Sequence, residues 1–327
     1  SQDQTDTTCD PPGLLDFDQT YYWRVDEVNG APDYAIYKGD LWSFTVEPYA
    51  IAVDDILATS NMTALVGPPL DNIVNETGLN ENDEHSTNTT DMWAAEPNAT
   101  EASYIQFEFS RVYKMHEMLV WNYNMSFESF LGFGVKDATV EYSENGIDWN
   151  VLGAVALTQA TGSDDYLYNT AVDFQGVPAK CVRLTIENSW SPTATTRGLS
   201  EVRFMYVPAH AREPQPTDGT VNVSPNTVLS WRGGHDALSH EIYTGTDPNA
   251  LALQTTTEDT TYAGSFDLDT TYYWKVVEVT ADGMWDSDVW SFSTQPHIVV
   301  EDFEAYDDNV EAGTTIWQTW IDGLDDP

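Results

Sequence analysis

The chain has 327 residues, and its 54 Asp and Glu face only 12 Lys and Arg, which leaves a formal charge of −42. That balance argues against nucleic acid as a partner, because phosphate binding needs a cationic footprint, and against electrostatic docking on anionic lipid. With 41% apolar and 13% aromatic residues the chain is no acidic disordered tail and has the material for packed cores.

So acidic a surface repels itself in dilute solution and suits a medium in which charge is screened. The length points to two or three domains. No apolar run approaches the roughly 18 residues of a membrane span. Cys9 and Cys181 are too far apart in sequence to suggest a disulfide framework or a CxxC metal site.

In chain order, residues 20–28 (TYYWRVDEV) and 40–48 (DLWSFTVEP) come first. Their alternation of side chains predicts two paired strands. Residues 1–49 are too few for a sandwich of their own. They predict the closing strands of a partial domain, with an apolar face and open edges. Either chain upstream or a second chain is expected to complete it.

Residues 50–206 hold strand-like runs and no convincing long amphipathic helix. YIQFEF (104–109) alternates, and MLVW (118–121) is a short apolar run. ATVEY (138–142) leads through Ser143-Glu144-Asn145-Gly146 into residues 149–152. The Asn-Gly pair predicts a type I′ hairpin turn. CVRLTI (181–186) and EVRFMY (201–206) close the domain, for which an antiparallel sandwich is expected.

After a proline-bearing linker (Pro208, Pro214, Pro216), residues 207–296 form a third domain. Strands are expected at 228–231 and 240–244, with a turn at Asp247-Pro248. It closes on TYYWKVVEV (271–279) and DVWSFSTQP (288–296), a second copy of the opening pair. The first of these segments matches residues 20–28 at seven of nine positions. Alternation puts Tyr272, Trp274 and Val276 on one face of the strand. Residues 297–327 read as a linker or the opening of a further domain. The fold class is all-β, as tandem β-sandwiches.

The entry into the repeated strand, with Phe266, Leu268, Thr270 and Tyr272 mirrored by Leu15, Phe17, Gln19 and Tyr21, resembles the tyrosine corner of fibronectin type III and immunoglobulin-like sandwiches. The middle domain is more specific. Tyr142, Ser143, Asn145, Gly146 and Trp149, with the closing Glu201, Val202 and Phe204, resemble the discoidin domain, also called coagulation factor 5/8 type C. Family-32 carbohydrate-binding modules share that jelly-roll-like sandwich. The whole string, with its tail EDFEAY…WIDG, resembles large surface proteins of planctomycete-type bacteria, in which fibronectin-like, discoidin and laminin-G-like domains alternate.

The loop at residues 71–91 is dense in oxygen donors and poor in cations, which suits Ca²⁺. The discoidin resemblance implies a structural Ca²⁺ held by Asn75, Asp83 and Ser86 with Glu201. A solvated acidic loop is the alternative, and the usual Asp-Gly of the family stands here as Asn75-Glu76. Asn-x-Ser/Thr sequons at Asn61, Asn75, Asn88, Asn98, Asn124 and Asn222 suggest a glycosylated surface protein. A glycan on Asn75 would remove it as a ligand.

Sugar rings are recognised by rigid aromatic platforms beside planar polar groups. Trp121, Asn122 and Tyr123 form one candidate, and Trp190 with Arg197 another; His85 and Trp93 are further candidates. Against this, Trp93 and Trp121 read more readily as core, and Arg197 as a partner of nearby carboxylates. No catalytic constellation emerges. His116-Glu117 lacks the second His of a zinc protease, Gly132-Phe133-Gly134 lacks the third glycine of a dinucleotide loop, and there is no GxSxG or P-loop.

These readings predict a non-catalytic extracellular module that binds glycan or polysaccharide within a larger surface or secreted protein. Two others stay open. One is a subunit of a filament, sheath or surface layer that pairs with copies of itself through open sheet edges. The other is a set of accessory domains of a polysaccharide-degrading enzyme.

Overall fold

A computed structural model describes residues 15–298 together with 6–9, 11, 13, 306–307, 309–312 and 314–316. Most of the expected opening of a further domain at 297–327 falls outside the described residues. The chain divides into two compact units, Ser1–Ala209 and His210–Pro327. The architecture is nearly all β, as its alternating sequence patterns predict. No helix among the described residues is long and apolar enough to cross a membrane.

The main body of the first unit is one ten-stranded antiparallel network folded over on itself. Its spine is the 20-residue strand Ser103–Asn122. The first half of that strand pairs with Pro178–Ile186 and Leu57–Ser60, and the second half with Arg197–Val207 and Thr170–Asp173. The strand therefore passes from one layer to the other, and Phe107 and Phe109 meet Phe204 across the interior at 4.9 and 5.1 Å between ring centroids. Sequence reading split this strand into 104–109 and 118–121. The backbone stays extended through the polar Ser110-Arg111 between them.

The hairpin of Asp137–Ser143 with Asn150–Ala156 forms as expected, but its turn differs. A type I′ turn needs positive φ at both central residues. Gly146 has φ 74°, and Asn145 is not in that region. Asn145 instead accepts the amides of Ile147 and Asp148 at its Oδ1, and Ser143 Oγ accepts that of Gly146. Side-chain acceptors thus organise a wider loop. Trp149 beyond it stacks on the Arg183 guanidinium, 3.9 Å from the ring centroid.

Residues 15–48 add two short pairs, Thr20–Trp23 with Trp42–Thr45 and Asp26–Val28 with Ile36–Lys38. The second unit stacks a three-stranded sheet (Arg212–Gln215, Val228–Arg232, Thr261–Ala263) on a six-stranded one centred on Thr271–Thr280. Leu229, Trp231, Ile242, Phe266, Trp274, Val276, Trp290 and Phe292 fill the space between. Trp274 is wholly buried, as the strand alternation requires.

Candidate functional site

Four segments gather at one end of the first unit's sandwich: residues 71–91, 122–136, 157–169 and 188–198. Two buried asparagines tie them together. Asn124 Nδ2 donates to the carbonyls of His85, Ser86 and Ser163, and its Oδ1 accepts the Gly162 amide. Asn122 Nδ2 donates to the carbonyls of Val135 and Thr158, at 2.7 and 2.8 Å. Every polar atom of these planar amides has a use here that no aliphatic side chain could supply.

This corrects the first proposed platform. Trp121, Asn122 and Tyr123 lie in the interior, at 0%, 1% and 7% exposure. The Trp121 Nε1 donates to the Asp83 carbonyl, and the Arg203 guanidinium lies 5.2 Å from its ring centroid. The WNYN segment is the inner wall under the loops and offers no face to a ligand. Trp93 is buried as well. His85 is also fully buried. Its Nδ1 pairs with the Ser86 carbonyl, and burial lowers its pKa, which favours the neutral ring.

Trp190 is different. It is 36% exposed, and its Nε1 is fixed to the Leu157 carbonyl at 3.0 Å. Lys136 Nζ lies 5.3 Å from the ring centroid. Backbone bonds from Trp190 to Gly134 O and from Ser191 to Gly132 O lock this segment to residues 132–134. Gly132 sits at φ 67°, and a Cβ there would come within 2.6 Å of the Ser191 nitrogen, so only glycine permits the approach. Just before it, on the short turn Glu128–Leu131 and its cap, Phe127 and Phe130 are 69% and 88% exposed. Exposed aromatics on a braced loop tip do not serve the core.

The tip is braced from beneath by Glu128, whose buried carboxylate accepts the amides of Phe133 and Gly134. Burial pushes its pKa up to about 7 against those two bonds. Tyr166 is likewise buried and its pKa is raised by desolvation; its hydroxyl accepts the Asn122 amide and donates to Asn169. Arg197 caps the carbonyls of Ile186 and Glu187 and lies near Glu96. Its donors hold backbone, which favours the structural alternative for this residue.

The four residues implied as Ca²⁺ ligands do not form one donor set. The Asp83 carboxylate is engaged by Arg203, at 3.1 and 2.9 Å, and the same guanidinium reaches Glu76 at 3.2 Å. Ser86 Oγ donates to Asp91. Asn75 Oδ1 accepts the Thr77 amide, and buried Glu201 accepts that of Glu76. Among the described residues, no group of three or more His, Cys, Asp or Glu side chains is placed to share a metal ion. The Arg203 guanidinium supplies the positive charge that faces Asp83 and Glu76 in this loop. Burial pushes the pKa of Glu201 up to about 8.

The sequons also separate. Asn75, Asn88 and Asn222 are exposed, and Asn61 and Asn98 are half-buried and donate to carbonyls of Ala102 and Asn61. At Asn124 all the amide hydrogens are used inside the protein, so a glycan cannot be attached in this fold.

No family model matches the chain, and no curated protein does. Among solved structures, it is similar to a second family-32 carbohydrate-binding module of a family-31 glycoside hydrolase, bound to GalNAc. That match has 16% identity and a TM-score of 0.34, and covers 46% of this chain and 96% of that one. The family-32 module of NanJ from Clostridium perfringens, in complex with galactose, shows 10% identity and a TM-score of 0.32 over 48% and 98% of the two chains. A family-89 glycoside hydrolase from Clostridium perfringens shows 11% identity and a TM-score of 0.33, over 47% of this chain and 14% of its own length. At these identities and scores the ligands remain properties of those proteins.

Proposed function

We propose that residues 50–206 form a discoidin-like, non-catalytic glycan-binding module, carried by an extracellular multidomain protein with fibronectin-like neighbours. The supporting observation is the aromatic tip: Trp190, Phe130 and Phe127 are exposed on adjoining segments held by backbone hydrogen bonds and a buried carboxylate. A pinned indole presents area to the apolar face of a sugar with little rotamer entropy to lose. Lys136 beside it can donate to hydroxyls, and makes an acidic sugar attractive to an otherwise anionic protein. The motif set of residues 142–149 and 201–204 supports the same reading.

Isothermal titration of the full chain against galactosyl, N-acetylgalactosaminyl and uronic-acid oligosaccharides tests it. Binding is expected to weaken about tenfold or more in Trp190→Ala and Phe130→Ala. Absence of binding to every sugar class by the folded protein, or binding indifferent to both substitutions, contradicts the assignment.

A further inference from the structure

The aromatic tip is fastened by a carboxylate that has no cation beside it. Glu128 stands in sequence between exposed Phe127 and Phe130, yet its own side chain is fully buried. Its Oε2 accepts the Phe133 amide at 3.0 Å, and its Oε1 accepts the Gly134 amide at 2.8 Å. The stretch so held is the one that binds the tryptophan segment: Trp190 donates to the Gly134 carbonyl and Ser191 to that of Gly132. A single side chain therefore ties the turn that carries the two phenylalanines to the stretch that carries Trp190.

The groups facing Glu128 are neutral. At the end of the long strand stand Asn122, whose Oδ1 lies against the same glycine, Gly134, as Glu128 Oε1, and Tyr123. From residues 157–169 come Gln159, whose Nε2 donates to the Glu128 carbonyl at 2.7 Å, and Tyr166. Burial raises the pKa of both phenols, and the nearby Glu128 charge adds to it. The neighbouring cations are engaged elsewhere. Lys136 lies over the Trp190 ring and 3.8 Å from Asp137, and Arg197 donates to the carbonyls of Ile186 and Glu187. Among the described residues no cation pairs with Glu128. An ionised carboxylate in such a place lacks both water and a counter-charge, so burial outweighs the two amide bonds and its pKa is pushed up to about 7.

We propose that Glu128 is a proton-controlled latch on the tip: with the carboxyl protonated, residues 132–134 and 190–191 stay closed on the turn Glu128–Leu131, and ionisation loosens them. Its effect on a ligand rests on the reading of the tip as the sugar-binding surface; the latch itself does not. An opened tip no longer sets Trp190 beside Phe127 and Phe130, and apparent affinity falls with the closed fraction. The closed form holds the proton more tightly than an opened, hydrated one. The stability this adds to closing is fully present below about 4.5, the ordinary value, and is lost as pH rises through 7. One proton leaves per opening, so the closing equilibrium falls by at most about tenfold per pH unit within that window.

Amide hydrogen exchange of the full chain between pH 5.5 and 7.5, expressed as protection relative to each amide's intrinsic rate, tests the latch without any sugar. Protection at Phe133, Gly134, Trp190 and Ser191 is expected to fall about tenfold or more, and by clearly more than at residues 105–109 in the core of the same unit. In Glu128→Gln, which keeps the shape and cannot ionise, tip protection is expected to stay level. Should that variant not fold, the Glu128 carboxyl carbon followed by NMR in the unmodified chain decides: its titration is expected to share its midpoint with the loss of tip protection. Level or rising tip protection, an equal fall at residues 105–109, or a carboxyl that titrates near the ordinary value overturns the proposal. A galactosyl or uronic oligosaccharide that binds is expected to bind more weakly at pH 7.5 than at pH 5.5, with no such change in Glu128→Gln; affinity indifferent to pH overturns the control of binding. If no sugar binds while tip protection behaves as stated, the glycan reading fails and the latch stands.

Discussion

Asn124 shows how much of the loop end depends on single planar amides. Its side chain satisfies three carbonyls and one amide that would otherwise be buried without partners. Asn124→Ala is expected to cost about 2–4 kcal/mol in denaturant unfolding, because each abandoned buried group carries a desolvation penalty. A loss within experimental error would mean that the loops do not close over it. Glu128 gives a pH dependence. Its folded-state pKa is raised, from 4.5 to about 7, so the folded protein holds that proton more tightly than the unfolded chain. The associated stability is fully present below about 4.5 and is lost as pH rises through 7. Glu201, raised to about 8, acts in the same direction. The melting temperature is therefore expected to fall from pH 5 to pH 8, with a shallower slope in Glu128→Gln. A melting temperature that rises over that window would contradict the assignment. Sequence reading did not mark Glu128, since one Glu among 54 Asp and Glu carries no local signature. Phe127 and Phe130 were more accessible to it: two aromatics beside Gly132 with neither a strand alternation nor a long helix to bury them.

At the level of elements, closely similar motifs meet opposite surroundings. Trp274→Ala is expected to destabilise the second unit by about 3–5 kcal/mol, as a large buried side chain in a closed core. Trp23→Ala, the same residue of the repeat, is expected to change the chain's stability by about 0.5 kcal/mol or less. Equal effects on chemical denaturation would show that the two environments are alike. Alternation was enough to place most strands, because a half-buried strand writes its period directly into the sequence. It fails at the Ser103–Asn122 corner, where the strand changes layers and polar residues sit in extended backbone. It also fails for Trp121 and Trp190. Both are tryptophans near Asn and Ser, and only the fold shows that one lies under the loop of residues 71–91 while the other lies outside. In the oxygen-rich loop, Arg203, 120 residues further along than Asp83, reaches back to Asp83 and Glu76, a pairing that no local pattern announces.

Across the whole molecule, 12 Lys and Arg serve 54 Asp and Glu, and Arg203 is a cation that joins two carboxylates at once. With Arg203 bridging Asp83 and Glu76, chelation with EDTA is expected to leave the thermal melt of the full chain unmoved. Arg203→Met is expected to lower it by only about a degree or two, because the two carboxylates left behind are 67% and 50% exposed. A large drop on chelation of the unmodified protein would restore a resident metal. The arrangement that results is a set of β-sandwiches whose interiors are conventional and whose distinguishing chemistry lies at a loop tip. The central claim is that this tip meets a sugar. Two-dimensional amide NMR of the full chain titrated with galactosyl and uronic oligosaccharides tests it most directly. Shifts are expected only at residues 127–136 and 188–191 and at the Trp190 indole N–H; no shifts with any sugar, or shifts centred elsewhere, would overturn the sugar-binding role of the tip.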